Sequence, residues 1–475
     1  LLASFCADLY FLYISYKKRV RKLSNQSEIK PIAHKLFSED WSKEPEPKLG
    51  NKPILGDRYT SKKFMELEWE KLWTKVWQVA GLEQQLENPG DFFTFDFGPE
   101  SVLCAKGEDL KIRCFYNVCQ HRGNQLVQIE EGNLESFDCA YHAWKFGLDG
   151  ELVWVPDEED FLQGSPCGKR NLMPIKTEIW QGFIFFNLDP DCKPLRDYLS
   201  PIMDHLEDYP ISDMIRTHWV SVEGDWNWKC VQDNFNESYH TPYVHPGLKY
   251  VAEEKYQACQ FDMYESMHSR MLMPGFIPSV SVYEEEEKVL EMIGPHIEYW
   301  DMDPKDYKGR LLDIRGDLQK QKRKLDKEKG YDFSKFKDTQ LTDHYHYTIF
   351  PNMSFSVKPD GMQWLRGSPH PTEPGKCIFD YWYLTLFPKG VEKYYSPALG
   401  LETNINTKVP HVQGHYTEVD VGPGISEDVA IWTSQQKGLS SRGYVGDYMP
   451  SQENRIRYFH ENIDKYLFGG SGGGA

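Results

Sequence analysis

Two short segments of this 475-residue chain each pair a thiol with an imidazole: Cys119-Gln120-His121 and, twenty positions on, Cys139-Ala140-Tyr141-His142. Two thiolates and two imidazoles suit either a two-iron, two-sulfide cluster or a zinc ion. Structural zinc sites favour like ligands grouped together, a CxxC knuckle with a separate pair of histidines. Here each loop mixes its ligands, which is what a diiron cluster needs if one iron takes both cysteines and the other both histidines.

The surroundings favour the cluster. Arg122-Gly123 follows the first loop, and Trp144, Asp149 and Gly150 follow the second. The run from Asn117 to Gly150 closely resembles the Rieske ferredoxin-type domain. That resemblance implies that Cys119 and Cys139 bind the inner iron of a [2Fe-2S] cluster and His121 and His142 the outer one. Aromatic and glycine neighbours would bury the sulfides and let backbone donors approach them, tuning the potential within a range of about −150 to +300 mV.

A cluster that moves one electron at a time needs an acceptor, and the segment from Asn227 to His245 supplies a candidate. Glu237 and His240 lie three apart on a helix expected near 228–241, hence on one face, and Pro242 then breaks the helix so that His245 can turn back. Two neutral imidazoles and one carboxylate would form a facial triad that leaves open positions on non-haem Fe(II). A pair of helix-end histidines satisfied by hydrogen bonds is the bland alternative. Far along the chain, Ser426-Glu427-Asp428 opens a helix, where acids are also ordinarily stabilised by the helix dipole.

The run Asn234-Phe235-Asn236-Glu237-Ser238-Tyr239-His240 through His245 resembles the mononuclear iron motif of the Rieske non-haem iron oxygenases, the ring-hydroxylating dioxygenase alpha-subunit family. The resemblance covers about residues 56–468. It implies His240, His245 and Asp428 as ligands of Fe(2+), with Glu427 as the fallback acid. Glu237 stands where an aspartate is more often found between the metal centres, and Asn234 is the pocket asparagine. In the family a head-to-tail homotrimer brings the second cluster histidine, here His142, near the bridging acid of the next subunit, here Glu237.

By the same resemblance the chemistry is O2 activation with electrons from an external NAD(P)H-dependent reductase or ferredoxin, since the chain carries no dinucleotide fingerprint. Hydroxylation of an aromatic or largely apolar organic compound is the leading expectation. Monooxygenation or N-demethylation of a quaternary ammonium compound is the runner-up, for which Tyr381, Trp382 and Tyr383 could cage the cation. A carrier or redox sensor with an inactive second site is the reading from another class. Trp226, Phe235, Tyr239, Tyr243, Phe350 and Trp364 are pocket candidates by position, each also explicable as core.

The rest of the chain must position these groups. Its length allows two domains with ample core, and a net charge of −18 argues against nucleic-acid binding. Cys6, Cys104, Cys114, Cys167, Cys192, Cys230, Cys259 and Cys377 show no regular pairing pattern, so they read as small buried residues in a reducing, cytoplasmic setting. Leu1–Tyr16 reads as an amphipathic helix followed by Lys17, Lys18, Arg19, Arg21 and Lys22, with a peripheral membrane contact as one option. The expected organisation is an extension and lead-in over 1–55, a helix over 56–77, an all-β Rieske domain over 78–190, an iron catalytic domain over 191–468 and a linker over 469–475. The fold class is α+β, the second domain being helix-grip-like with an antiparallel sheet. Helices are expected near 195–208 and at the C-terminus, and strands near 255–300 and 345–388. The charged stretch 303–330 carries only the narrow stripe Leu311, Ile314, Leu318 and Leu325, which suits a solvated surface helix, a lid or a subunit contact.

Overall fold

Runs of alternating aromatic and polar residues between turn signals become the strands of the first domain, as their β propensity demands. The computed structural model describes residues 46–396, 401–422 and 424–469; the expected helix at Leu1–Tyr16, Cys6 and the linker beyond Gly469 lie outside them. Among the described residues no helix is long and apolar enough to cross a membrane. Helix α1 (Lys62–Glu68), continued by a wider turn over Trp69–Trp73, leads into strands β1 (Gln78–Leu82), β2 (Asp91–Phe97), β3 (Glu100–Lys106), β4 (Ile112–Tyr116) and β5 (Glu131–Asn133). Strands β6 (Phe137–Asp138), β7 (Lys145–Phe146) and β8 (Leu152–Trp154) form a separate three-stranded sheet, and β9 (Pro174–Trp180) and β10 (Phe183–Asn187) return to the first. The larger sheet runs β1-β10-β9-β4-β3-β2-β5.

The second domain is built on one eight-stranded sheet. Its strands are β11 (Ile215–Gly224), β12 (Gln260–Met263), β13 (Ser269–Met273), β14 (His344–Ile349), β15 (Met353–Lys358), β16 (Gly361–Pro369) and β17 (Cys377–Thr385). A small hairpin of β18 (Lys393–Ser396) and β19 (Leu401–Asn404) then precedes β20 (Val412–His415), which joins the large sheet in parallel beside β11. The strand order is β12-β13-β14-β15-β16-β17-β11-β20, antiparallel apart from that last pair.

Helices α2 (Trp228–Phe235) and α3 (Thr241–Val244) cover one face, with α4 (Glu286–Glu298), α5 (Asp313–Leu325), α6 (Ile425–Leu439) and α7 (Asn454–Phe468). Helix α2 crosses β16 so closely that a Cβ on Gly367 would stand 3.0 Å from the Trp228 carbonyl oxygen. Three expectations change here. The strands expected up to residue 300 stop at Met273, and 286–298 is helical because Val289, Ile293 and Ile297 recur at helical spacing and are buried. The helix expected near 195–208 is two short ones, Leu195–Leu199 and Ile202–His205, separated by Ser200-Pro201. The charged helix α5 buries Ile314, Leu318 and Leu325 together with Gln319 and Lys322, so it is a packed element with a wet outer side.

The other face of the sheet packs on the first domain. Trp364 stacks on Trp382 at 4.1 Å between ring centroids, and Phe183 from β10 lies parallel to Trp382 at 6.5 Å. Arg366 holds Asp380 with two bonds of 2.8 and 2.7 Å and donates to the Val79 carbonyl. The expected cation cage is thereby split. Side chains alternate along β17, so Trp382 turns toward the first domain, where the chain's own Arg216 guanidinium lies 5.0 Å from its ring, away from Tyr381 and Tyr383.

Histidine burial gives this packing a pH dependence. His268, fully buried, accepts the Phe350 N–H at Nδ1 (3.0 Å) and donates from Nε2 to the Tyr198 carbonyl (2.6 Å), an arrangement for the neutral ring. Burial pushes its pKa down to about 4, the Tyr198 carbonyl opposing. An unfolded histidine takes up its proton near pH 6.5 and the folded one only near 4. The resulting stability is complete above pH 6.5 and lost as the pH falls toward 4, about 3 kcal/mol in all. Urea midpoints compared at pH 7 and 4.5 should fall less in His268→Gln than in the unaltered protein; equal falls would place the acid sensitivity elsewhere.

Candidate functional site

The two cysteine–histidine loops are copies of one local design. In the first, the Cys119 carbonyl accepts the Gly123 N–H (3.1 Å) and the Cys119 N–H donates to the Asn124 carbonyl (2.8 Å). In the second, Cys139 does the same with Ala143 N–H (2.9 Å) and the Trp144 carbonyl (2.9 Å). Gly123 and Ala143 both take positive φ, 74° and 54°, closing the two turns alike. Both thiols are buried and both imidazoles half-buried, with ring centroids 4.7 Å apart. Trp144 stacks on His121 at 4.8 Å and 7° between planes, and Asn124 Nδ2 lies 3.7 Å from Cys139 Sγ. Burial, helped by the neighbouring Cys139, pushes the Cys119 thiol up to about 11. A thiol held that high needs a nearby cation to ionise at neutral pH. His121 Nδ1 is buried without a hydrogen-bond partner, a ligand atom left for that cation.

The second constellation assembles from three elements. Helix α2 ends at Phe235, earlier than the expected 241, because the Glu237 carboxylate accepts the backbone N–H groups of Tyr239 and His240 (the latter at 3.0 Å) and turns the chain out of the helix. Pro242 does not end a helix but sits in the first turn of α3, where its missing N–H is harmless. His240 Nδ1 donates to Glu237 and His245 Nδ1 donates to Glu427 at 2.6 Å. Both outer nitrogens are thus committed to carboxylates, and both Nε2 atoms turn to Asp428 Oδ1, 3.6 Å from His240 and 3.0 Å from His245. All three donor atoms lie within 4.8 Å of one another.

This donor set fits a divalent iron. Asp428, in the first turn of α6, is 1% exposed, and its Oδ1 is a buried atom with no hydrogen-bond partner. A buried carboxylate in that state requires a cation, and two imidazoles with one carboxylate on one side are the open arrangement of non-haem iron sites. Without a metal the carboxylates raise both imidazoles against the effect of burial, His245 to about 9 chiefly through Asp428 and then Glu427. Glu427, the fallback acid, is half exposed and reaches only the outer nitrogen of His245. Its place as an orienter could have been suspected only from two adjacent acids, since neighbours on a helix point about 100° apart.

Asn234 lies in the last turn of α2, half-buried, with Nδ2 lacking a partner. Phe235 faces Trp432 and His346 at 5.9 and 6.1 Å. Of the other pocket candidates, Trp226, Phe350 and Trp364 are core, while Tyr239 and Tyr243 are exposed.

Residues 211–469 match the ring hydroxylating alpha subunit (catalytic domain) family and residues 76–168 the Rieske [2Fe-2S] domain. Together these domains imply a [2Fe-2S] cluster and a mononuclear iron. The chain is 33% identical over 234 residues to the carnitine monooxygenase oxygenase subunit of Escherichia coli (strain K12), a match covering 48% of this chain and 60% of that protein. It is 32% identical over 190 residues to the biphenyl 2,3-dioxygenase subunit alpha of Rhodococcus jostii (strain RHA1), covering 38% and 41%. The matches thus span less than two thirds of these relatives' length. The fold is shared with a quaternary ammonium Rieske monooxygenase solved with its substrate L-carnitine, at a TM-score of 0.60 and 21% identity, over 87% of this chain and 95% of that one.

Removal of single carboxylates should separate ligand from orienter. Asp428→Ala should lower the iron content from three to two per chain with the visible absorption of the cluster kept. Glu427→Gln should keep three irons but weaken the mononuclear one about 10- to 100-fold, read by chelator competition; the reverse pattern would exchange the two roles.

Proposed function

The chain belongs to the ring-hydroxylating alpha-subunit family, and from that footing we propose that it is the terminal oxygenase of a Rieske-type non-haem iron system, acting as a monooxygenase on a quaternary ammonium compound. The observation that carries the oxygenase reading is the convergence of His240 Nε2, His245 Nε2 and Asp428 Oδ1 on one point, with both outer nitrogens held by carboxylates. The substrate class is supported by the carnitine monooxygenase relative. Hydroxylation of an aromatic compound is the second reading, favoured by the biphenyl dioxygenase relative.

Cys119, Cys139, His121 and His142 would hold the cluster, and His240, His245 and Asp428 the mononuclear ion. Iron bound at these places supplies electron transfer and O2 activation, which no side chain can. The protein's part is positioning. Glu237, buried, fixes His240 in the tautomer with its proton on Nδ1, and Glu427 does so for His245, so that both Nε2 lone pairs face inward. The unpartnered Asn234 amide is a donor for a bound molecule. In a homotrimer Glu237 would be the acid approached by His142 of the partner subunit; His142 is half-buried beside the exposed Tyr141. Electrons would come from an external NAD(P)H-dependent reductase or ferredoxin, in a cytoplasmic setting that suits the free thiols.

Reconstitution with such a reductase tests the reading. NAD(P)H-dependent O2 uptake with release of an amine and an aldehyde from a trimethylammonium compound is expected; a cis-diol or phenol from an aromatic compound instead would replace the substrate class. Glu237→Gln should keep all irons and both sulfides yet cut turnover by about two orders of magnitude. Normal turnover in that variant would remove the bridging role.

A further inference from the structure

The turn that carries Glu237 is gripped by the C-terminal part of the chain. Gln452, in the short turn just before α7, donates from Nε2 to the Ser238 hydroxyl at 2.8 Å, and Arg455, in the first turn of α7, reaches the other side of Glu237. Its Nη2 donates to the Thr348 hydroxyl at 2.9 Å, and that hydroxyl donates on to the Asn236 side chain at 2.8 Å. Its Nε donates to Ser269 at 3.0 Å, and its Nη1 makes a longer contact of 3.5 Å to the carbonyl of Phe235, the last residue of α2. One guanidinium thus joins β13 and β14 to the end of α2. Both residues flanking Glu237 are tied to the same stretch of chain.

The charge of Arg455 is the anomaly. The residue is 0% exposed, and among the described residues no carboxylate lies within ion-pair distance of it. Asp262, the acid on β12, is taken by Arg270 at 2.7 Å. A cation in that position is costly unless something negative offsets it. Stapling alone does not require a charge, since Gln232 and Asn236 join α2 to Ser354 and Thr348 through neutral amides. Two negative features lie nearby. One is the carbonyl end of α2, where the helix dipole leaves partial negative charge. The other is Glu237, which follows Phe235 by two residues, at most about 7 Å along the chain. Burial pulls the Arg455 pKa down to about 9 against the opposing effects of Tyr264, Asp262 and Glu237, so the group keeps its proton at neutral pH.

We propose that Arg455 is a positioning residue for electron transfer: its cation, set against the carbonyl end of α2, holds the turn from which Glu237 reaches His240 and, in a trimer, His142 of the partner subunit. The assignment rests on the bridging role given to Glu237 above, and the two can fail separately.

Flash photoreduction of the full chain, loaded with oxidised cluster and ferric iron, tests it without a substrate. A photoreduced flavin analogue puts one electron on the cluster. That electron then leaves the cluster and reduces a ferric iron to ferrous, and the visible absorption of the oxidised cluster returns at the transfer rate. Arg455→Met should slow the return about tenfold or more, with all irons and both sulfides retained. Arg455→Lys, which keeps the charge and loses the planar fork, should stay within about threefold of the unaltered protein. Where Arg455→Met does not accumulate, Thr348→Val takes its place; it cuts the link to Asn236 and should slow the return about threefold. An unchanged rate in Arg455→Met, or in Thr348→Val where that is used, overturns the proposal. So does a rate in Arg455→Lys as low as that in Arg455→Met, which would reduce the residue to packing. Glu237→Gln is the control. Slow return there with normal return in Arg455→Met removes the positioning role alone, whereas normal return there removes the bridge and the positioning role together.

Discussion

Helix α2 is held in place by buried charge, and the geometry of the candidate iron site depends on that. Lys229 and Glu68, both fully buried, meet at 2.7 Å, joining α2 to α1. One turn on, Asp233 accepts from Tyr59 (2.6 Å) and His460 (3.0 Å), joining α2 to the short turn of helix before α1 and to α7. Burial drives Glu68 up and Lys229 down, each opposed by its partner. Buried pairs of this kind add little net stability over apolar residues of the same size, but they penalise any packing that separates them. The helix end carrying Asn234 and Phe235, and the turn that follows, are consequently tied to three distant parts of the chain.

From that fixed end the candidate ligands are oriented by carboxylates. Glu237 acts on its own backbone and on His240 at once, so the same side chain that ends the helix also turns the first imidazole. Glu427 comes from 182 residues further on and turns the second. Adjacent acids therefore have different work: Asp428 is turned inward and buried at the helix start, while Glu427 stays half in solvent and touches an outer nitrogen. A metal site is specified as much by such outer contacts as by its ligands.

The large sheet serves two neighbours with its two faces. Trp364, Arg366 and Trp382 turn toward the first domain, and Gly367, Ser354, Thr348 and His346 meet α2, whose end leads into the turn that carries His240. One element thereby packs on both the first domain and the helix that leads to the candidate iron site.

The cysteine–histidine loops were legible in the sequence because they are local: each turn is closed by hydrogen bonds within five residues, and spacing alone carries them. The same holds for His240 and His245, five apart. The end of α2 at Phe235 was not legible, since it depends on a side chain capturing backbone donors that helix periodicity assigns elsewhere. Nor could alternation along Tyr381-Trp382-Tyr383 say which side is inward, because that depends on Phe183 and Arg216 arriving from remote strands. The family resemblance favours Asp428 over Glu427, but that Asp428 turns inward while Glu427 reaches the outer nitrogen of His245 is visible only in the tertiary structure. Residue type and spacing determine what chemistry a segment can do, whereas the direction a side chain faces is decided by what packs against it from far along the chain.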